Sequence, residues 1–238
     1  MERYTMDFGF GASRMRGIED GVQNFHPTPW QVDFEVRGGW KLDAIRERAI
    51  AKFDDLDLDL SNCHVYVMAG LPDILQRDQF LWAPGVPYEE CYITRDAESI
   101  ISSVMHSFEL LECAILLRGA KPIFSTIAPA SIDKWNNTRL EQGKTHLLIH
   151  SAQYSDMQSI LNKAIHDINL LLIQKNMQNS AFTPQIAKLF QTYTGSSENR
   201  RLRTHFGRLI DGVHPNAEYA AKSALAVWKS IKLNRHFK

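Results

Sequence analysis

The chain has 238 residues, of which 44% are hydrophobic and 23% are charged, a composition typical of a folded globular protein. Basic and acidic side chains number 27 each, so the overall charge gives no argument for binding to nucleic acid or to a membrane surface. The three cysteines, Cys63, Cys91 and Cys113, form no CxxC pair and no Cys/His ligand pattern, which argues against a structural zinc site.

The N-terminal residues are charged and lack the long apolar run of a secretory signal. No apolar stretch approaches the roughly 18 residues that a membrane span needs. We therefore expect an intracellular, cytoplasmic protein with reduced thiols. The length suits one domain over residues 1–238, with a core large enough to need neither disulfides nor metal.

Short apolar runs alternate with longer amphipathic ones along the chain. Strands are predicted over residues 4–10, 31–37, 63–70 and 121–128. Helices, with apolar residues at three- and four-residue steps, are predicted over residues 40–53, 96–119, 154–176 and 216–233. This alternation favours an α/β fold, in which a parallel sheet lies between two layers of helices.

In such sheets the functional groups follow the carboxyl ends of the strands. The first predicted strand is followed by GFGASRMRG (9–17), in which Gly9 and Gly11 would permit a close turn. Ser13 then stands at the start of a predicted helix. Its hydroxyl could face a ligand at the sheet edge, or it could only cap the helix.

The second and third predicted strands end in RGGWK (37–41) and AGLPDI (69–74). The paired Gly38 and Gly39 would let backbone N–H groups approach a ligand. Gly70 and Asp73 could line the same edge. Taken alone, each segment favours a plain turn, with Pro72 near a helix start.

Near the C-terminus the chain reads DGVHPN (211–216). One turn can bring the Asp211 carboxylate onto the His214 ring, an arrangement that suits a general base. Pro215 would then occupy the first position of the last helix. The alternative is that Asp211 and His214 only cap that helix.

Together these segments resemble the sequence blocks of the SGNH hydrolases, also called GDSL-type esterases and lipases. GASRMRG (11–17) resembles block I, with Ala12 in place of the usual Asp. Gly39, or alternatively Gly38, stands for block II. GLPD (70–73) stands for the GxND of block III, and DGVH (211–214) matches the DxxH of block V.

The resemblance implies a flavodoxin-like, three-layer α/β/α fold with a five-stranded parallel sheet. It implies that Ser13 is the nucleophile, His214 the base and Asp211 the carboxylate that orients it. An oxyanion hole would use the backbone N–H groups of Ser13 and Gly39, and Gly38, Gly70, Pro72 and Asp73 would lie against the substrate. No cofactor or metal is expected, and the expected partner is a small-molecule or acylated substrate.

One position departs from the family pattern. Pro72 replaces the block III asparagine and has neither a side-chain donor nor a backbone N–H. Loss of one oxyanion donor typically lowers turnover about 100- to 1,000-fold. Trp40 and Arg14 are candidates for a substitute donor. An ester hydrolase is thus one interpretation, and a weak or inactive domain that binds a ligand, nucleic acid or protein is the other.

Other segments are less informative. The basic run 198–208 could contact phosphates through Arg200, Arg201, Arg203 and Arg208, or could be a solvated loop. His146 and His150 have a metal-like spacing but no evident third ligand. Trp135 and Asn136 could shape a substrate pocket or only pack their loop.

Residues 180–190 are the only candidate for a fifth strand, in a region that could hold an insertion. The DGVHPN block with its altered block III is also similar to SGNH domains carried by retroelements and large DNA viruses of animals.

Overall fold

The computed structural model describes residues 6–12, 18, 21–22, 31–56, 59–83, 86–195, 199 and 201–236. Its main sheet contains four parallel strands in the order β2-β1-β3-β6. These strands are β1 (Met6–Gly11), β2 (Gln31–Val36), β3 (His64–Met68) and β6 (Lys121–Phe124). All four predicted strands are therefore confirmed, with ends that differ by a few residues.

Six α-helices lie within the described residues. They are α1 (Leu42–Asp54), α2 (Leu71–Ile74), α3 (Ala97–Leu116), α4 (Ile132–Glu141), α5 (Tyr154–Gln178) and α6 (Ala217–His236). The four longest correspond to the predicted helices, which confirms the alternating α/β pattern. Short 3-10 helices occur at Ser151–Gln153, Ala187–Phe190 and Phe206–Arg208.

The sheet separates two apolar clusters, as a three-layer fold requires. Along β3, Val65 and Val67 pack in the cluster that contains α1, α3 and α5. Tyr66 and Met68, which point the other way, pack with α6. This alternation follows from the two-residue period of a strand that is covered on both faces.

Gly9 lies inside β1 and not in the turn where the sequence placed it. A Cβ built on Gly9 would come within 2.1 Å of the Phe34 ring of β2. The missing side chain therefore lets this ring pack across the neighbouring strand, and close approach, rather than turn formation, is the physical reason for glycine here.

Two antiparallel hairpins were not predicted. The first, β4 (Gln76–Ala83) with β5 (Val86–Tyr92), follows α2, and the second, β7 (Gln191–Thr194) with β8 (Arg201–Thr204), precedes the C-terminal turn. The second hairpin lies in the region where we considered an insertion.

The prediction of a fifth strand is not met within the described residues. The candidate segment 180–190 runs beside the end of β6, where the Thr126 N–H donates to the Pro184 carbonyl at 3.1 Å. Pro184 has no N–H with which to extend a ladder, and the segment ends in a 3-10 helix at Ala187–Phe190. The described sheet therefore has four strands.

Helix α3 corrects one sequence expectation. Within the part of the chain that the structure describes, it is the one helix long and apolar enough to cross a membrane. Its residues Ile100, Val104, Phe108, Leu111 and Ile115 are buried in the core. This stripe at three- and four-residue steps is the face that the helix packs into the core.

A buried ion pair joins the C-terminal helix to the sheet. The Asp7 side chain on β1 is fully buried, and the Arg235 side chain on α6 is 3% exposed. Arg235 Nε donates to Asp7 Oδ2 at 3.0 Å, and the His64 backbone N–H donates to Asp7 Oδ1 at 2.8 Å. The pair is thus hydrogen-bonded on several sides and fixes α6 against the start of two strands.

We expect Arg235→Met to lower the free energy of unfolding by about 3–5 kcal/mol, because it leaves the Asp7 carboxylate buried without its cation. Denaturant unfolding would measure this loss. Arg118→Met is the matched control. Arg118 forms a similar two-bond pair with Asp54, at 2.9 and 3.0 Å, but at the surface. It should change stability by only about 0–1 kcal/mol. Equal losses in the two variants would contradict the assignment.

Candidate active site

The turn at 209–215 brings Asp211 and His214 together. Asp211 Oδ2 lies 2.7 Å from His214 Nδ1. Its other oxygen accepts from the backbone N–H groups of Val213, at 3.0 Å, and His214, at 2.8 Å. Burial disfavours ionisation of Asp211, but the bonds from the His214 ring and the two backbone groups outweigh it and hold the pKa of the carboxyl well below its usual range.

An ionised Asp211 defines the state of the ring. Because the carboxylate can only accept, His214 Nδ1 must carry the proton in this contact. A neutral imidazole then has its lone pair on Nε2, which is the form a general base requires. His214 lines a cavity, so this ring faces the space that a substrate would occupy.

The alternative in which Asp211 and His214 cap the last helix does not describe this geometry. The side-chain cap of α6 is Asn216, whose Oδ1 accepts from the Tyr219 N–H at 3.0 Å. Pro215 is not the first helical residue either, because it pairs with Leu209 in an isolated β-bridge and α6 begins at Ala217. The Asp211 bonds stay within its own turn.

The 209–215 turn is held against the first turn of α4. The Ser131 N–H donates to the Gly212 carbonyl at 2.8 Å, and Lys134 Nζ donates to the Leu209 carbonyl at 2.7 Å. Gly212 has a φ of +86°, and a Cβ on it would lie 2.6 Å from both Ser131 O and Trp135 N. Glycine is thus required here both by conformation and by contact.

The cavity has a volume of about 1170 Å³ and lies along the carboxyl edge of the sheet. Its described walls include Gly38, Gly39, Pro72 and Asp73, together with His214. Gly70 is buried behind this surface, with a φ of +107° and its Cβ position against Ile127. The structure therefore brings segments from the second strand, the third strand and the C-terminal turn to one space.

Ser13 lies outside the described residues, as does Arg14. Its neighbour Ala12 is described, lines the same cavity, and donates its backbone N–H to the Met68 carbonyl at 3.3 Å. Met68 is the last residue of β3, so the chain leaves β1 directly beside the block III segment. This junction lies where the strand order reverses, between β1 and β3.

The residues considered for the oxyanion hole have different surroundings. Gly39 has a φ of +76° and open space around it. Its N–H has no acceptor among the residues that the structure describes. Pro72 lies in the first turn of α2 and supplies no donor. Trp40, which we considered as a substitute, packs against the apolar core and is not part of the cavity wall.

Asp73 connects the block III segment to the block II loop. Its carboxylate accepts the Leu42 N–H at 3.1 and 3.3 Å and thereby caps α1. Burial raises the pKa of Asp73 to about 6, although the bond from Leu42 opposes this shift. We infer that Asp73 positions the loop that carries Gly38 and Gly39.

The sequence reasoning missed several cavity residues whose side chains bear on the chemistry of the site. They are Arg77, Cys91, Arg95 and Arg139. Three belong to the unpredicted β4–β5 hairpin or its exit. A signal was present, because the sequence has a Pro-Gly dipeptide at 84–85, a pattern typical of turns, between two runs rich in aromatic and β-branched residues. Burial raises the pKa of the Cys91 thiol to about 12, so Cys91 is not an activated nucleophile.

Two other residues singled out in the sequence, His150 and Arg208, pack against aromatic rings outside the proposed catalytic pair. His150 Nδ1 lies 3.1 Å from Glu90 Oε2, and its ring stacks on Tyr92 with centroids 4.7 Å apart. In the described part of the chain, no three His, Cys, Asp or Glu side chains group as metal ligands would. Of the basic run, Arg201 and Arg203 are exposed on β8, whereas Arg208 packs over the Tyr219 ring at 4.7 Å. Arg200 lies outside the described residues.

Solved structures of lipolytic enzymes have the same fold. A proposed acylhydrolase from Bacteroides fragilis matches with a TM-score of 0.56, at 15% identity over 100% of this chain and 90% of that one. A GDSL-like lipase from Bacteroides thetaiotaomicron gives 0.55, at 13% identity over 99% and 90%. The lipase/acylhydrolase from Enterococcus faecalis gives 0.54, at 14% identity over 96% and 95%.

This chain has the SGNH hydrolase fold. The likeness covers nearly the whole length of each protein, but at 13–15% identity it is a likeness of fold. No protein-family model matches the chain, and no curated protein matches its sequence. Within the SGNH fold, the described Asp211–His214 pair occupies the C-terminal turn that the block V resemblance assigns to it.

We expect Gly212→Ala to lower the free energy of unfolding by about 2–4 kcal/mol, since it adds both backbone strain and a clash with α4. Gly143→Ala is the control. Gly143 also has a positive φ, +65°, but nothing lies within 4 Å of its Cβ position. It should therefore lose only the strain, about 1 kcal/mol. Denaturant unfolding of both variants would measure the difference, and equal losses would show that the contact with α4 is unimportant.

Proposed function

We propose that the protein is a serine ester hydrolase of the SGNH type, acting on a short acyl ester. The observation that carries the proposal is the Asp211–His214 pair, which is joined at 2.7 Å and faces a cavity. Ala12, directly before Ser13, lines the same cavity. The names of the lipolytic neighbours, which describe those proteins, are consistent with this chemistry.

In the proposed reaction His214 Nε2 removes the proton from the Ser13 hydroxyl. The Ser13 oxygen attacks the ester carbonyl, and a tetrahedral intermediate forms with the negative charge on the former carbonyl oxygen. Asp211 stays ionised and stabilises the imidazolium. His214 then donates its proton to the leaving alcohol, and an acyl-serine remains.

Water would hydrolyse the acyl-serine by the reverse path. His214 removes a proton from water, hydroxide adds to the acyl carbon, and collapse of the second intermediate returns the proton to Ser13. The backbone N–H groups of Ser13 and Gly39 would stabilise both oxyanions. Pro72 contributes no donor, so we expect slow turnover relative to a site with three donors.

The test is turnover of 4-nitrophenyl acetate and butyrate, together with labelling by a fluorophosphonate probe. Ser13→Ala should abolish labelling and lower kcat by at least about 1,000-fold. Asp211→Asn should lower kcat by about 10,000-fold, because the ring loses its orienting carboxylate. Arg118→Met, which alters a surface pair outside the described cavity wall, should retain wild-type rates. Wild-type turnover no greater than that of Ser13→Ala, with no labelling, would refute the esterase.

The substitution at Pro72 supports the second candidate, an SGNH-like domain that binds but hydrolyses weakly or not at all. We expect Pro72→Asn to raise kcat by about 100- to 1,000-fold if the remaining groups are competent, because it restores an oxyanion donor. Pro72→Ala is the control, since it removes the ring without adding a side-chain donor. An equal gain in the two variants would show that the asparagine side chain is not the restored donor. No gain in either variant would contradict the expectation and favour the binding function.

A further inference from the structure

One wall of the cavity is built from an indole between two guanidinium groups. The Arg139 guanidinium carbon lies 3.9 Å from the centre of the Trp135 ring, and that of Arg77 lies 5.3 Å from it. The Trp135 ring is in turn 6.0 Å from the His214 ring, centroid to centroid. All four side chains line the same cavity. The cationic wall is therefore in contact with the proposed catalytic base.

The two arginines share a single carboxylate. Glu89 on β5 is 7% exposed and forms an ion pair with Arg77. Arg139 Nε lies 3.4 Å from the same Glu89 oxygen, Oε1. Two guanidinium groups against one carboxylate leave one net positive charge at this wall, and the partial burial of Arg139, whose side chain is 12% exposed, limits its screening by solvent.

Two N–H donors at this wall are buried without a hydrogen bond, although Arg139 Nε remains within ion-pair distance of Glu89. Among the residues that the structure describes, neither Trp135 Nε1 nor Arg139 Nε has a hydrogen-bond partner. Buried donors are normally paired, because an unpaired one is costly. An unpaired indole N–H next to an excess cation provides what an oxygen anion needs, namely hydrogen bonds and positive charge.

The remaining charged side chains of the described cavity wall balance one another. Lys41 and Arg95 also line it, and no carboxylate pairs with either among the described residues. Arg95 donates instead to the Asp73 carbonyl at 2.9 Å. The carboxylates of the described wall are Asp43 and Asp73. Together with Arg77 and Arg139, the described wall has four cationic side chains and two carboxylates, although the chain as a whole is neutral.

We propose that Arg77, Trp135 and Arg139 form a binding subsite for an oxygen anion, so that the preferred substrate is an ester bearing a carboxylate or phosphate close to the scissile bond. This inference rests on the proposed function, because the bound anionic ester is a substrate only if the protein hydrolyses esters. The anion-binding property itself depends only on the cavity wall.

The kinetic test compares matched esters. The carboxylate arm uses 4-nitrophenyl hydrogen succinate and its neutral methyl ester, and the phosphate arm uses 4-acetoxyphenyl phosphate and neutral 4-methoxyphenyl acetate. We expect kcat/KM to favour the anionic ester about 10- to 100-fold in at least one arm, as one or two charge-assisted hydrogen bonds predict. The arm with the larger ratio identifies the anion.

Variants locate the preference. Arg77→Met and Arg139→Met should bring the ratio close to one, and Arg139→Lys should restore it in part because the charge is kept. Glu89→Gln should raise the ratio, because it removes the competing carboxylate. A purely structural ion pair would instead lose stability in Glu89→Gln without any change in preference. Arg118→Met, which replaces an arginine paired with Asp54 outside the cavity wall, should leave the ratio unchanged.

A binding measurement keeps the subsite testable without hydrolysis. In Ser13→Ala protein, the indole N–H resonance of Trp135, assigned by its loss in Trp135→Phe, should shift saturably with succinate or phenyl phosphate. The shift should be absent in Ser13→Ala/Arg139→Met and present in Ser13→Ala/Arg139→Lys, whose folding can be checked by the other resonances.

The two proposals fail in different ways. No ester turnover together with a saturable Trp135 shift would refute the hydrolase and retain the anion subsite. Ester turnover with a ratio near one in the wild type, and no Trp135 shift with either anion, would refute the subsite and retain the hydrolase. A preference that survives both Arg77→Met and Arg139→Met would also refute the subsite at this wall.

Discussion

The close contact between Gly212 and the first turn of α4 is the constraint on which the site depends. Only a residue without a Cβ fits at a φ of +86° against Ser131 O and Trp135 N. This contact fixes the backbone of the 209–215 turn, and the turn fixes the direction of His214. The Asp211 carboxylate then selects the tautomer through its bond to Nδ1. Position and protonation state of the base are thus set by separate interactions.

Helix α4 also connects the base to the far wall of the cavity. Trp135 packs beside His214, and Arg139 follows it by one turn on the same face of the helix. Between them Asn136, which is fully buried, bonds to both the backbone N–H and the carbonyl of Cys91, at 2.7 and 2.8 Å. The β4–β5 hairpin is therefore attached to the helix that holds the base.

A buried carboxylate anchors the same hairpin on its other side. Glu90 accepts from the Tyr154 hydroxyl at 2.5 Å and from the backbone N–H groups of Ile149 and His150 at 3.2 and 3.1 Å. Burial disfavours the charge, but the bonds from Tyr154, Tyr88 and His150 outweigh it and hold the pKa of Glu90 below its usual range. These fixed contacts allow Arg77 to belong to a preformed wall rather than to a loose loop.

The sequence predicts the parts that follow from local periodicity and from the shared edge of a parallel sheet. The four strands, the four long helices and the DxxH turn are of this kind, and so is the placement of Gly39 and Pro72 along one cavity. The cationic wall could not be predicted in this way, since it depends on a hairpin whose side chains pair with α4. The predicted fifth strand is absent from the described sheet for a local reason. Pro184 lies beside Thr126 at the end of β6 but has no N–H with which to continue the ladder, and the sequence alone does not show that these two residues are neighbours.

Pro72 and the cationic wall affect the same chemical step differently. A hydrogen bond to the oxyanion acts over a short distance and strengthens as charge develops, so it mainly raises kcat. The field of Arg77, Arg95 and Arg139 acts over a longer distance on any negative group in the cavity. It would stabilise a bound anionic ester and the transition state to similar degrees, which lowers KM more than it raises kcat. A site that lacks the oxyanion hydrogen bond but keeps the field of the arginines would bind an anionic ester firmly and hydrolyse it slowly. The proposed hydrolase and the proposed binding domain therefore differ in the rate of one chemical step and not in the architecture of the cavity.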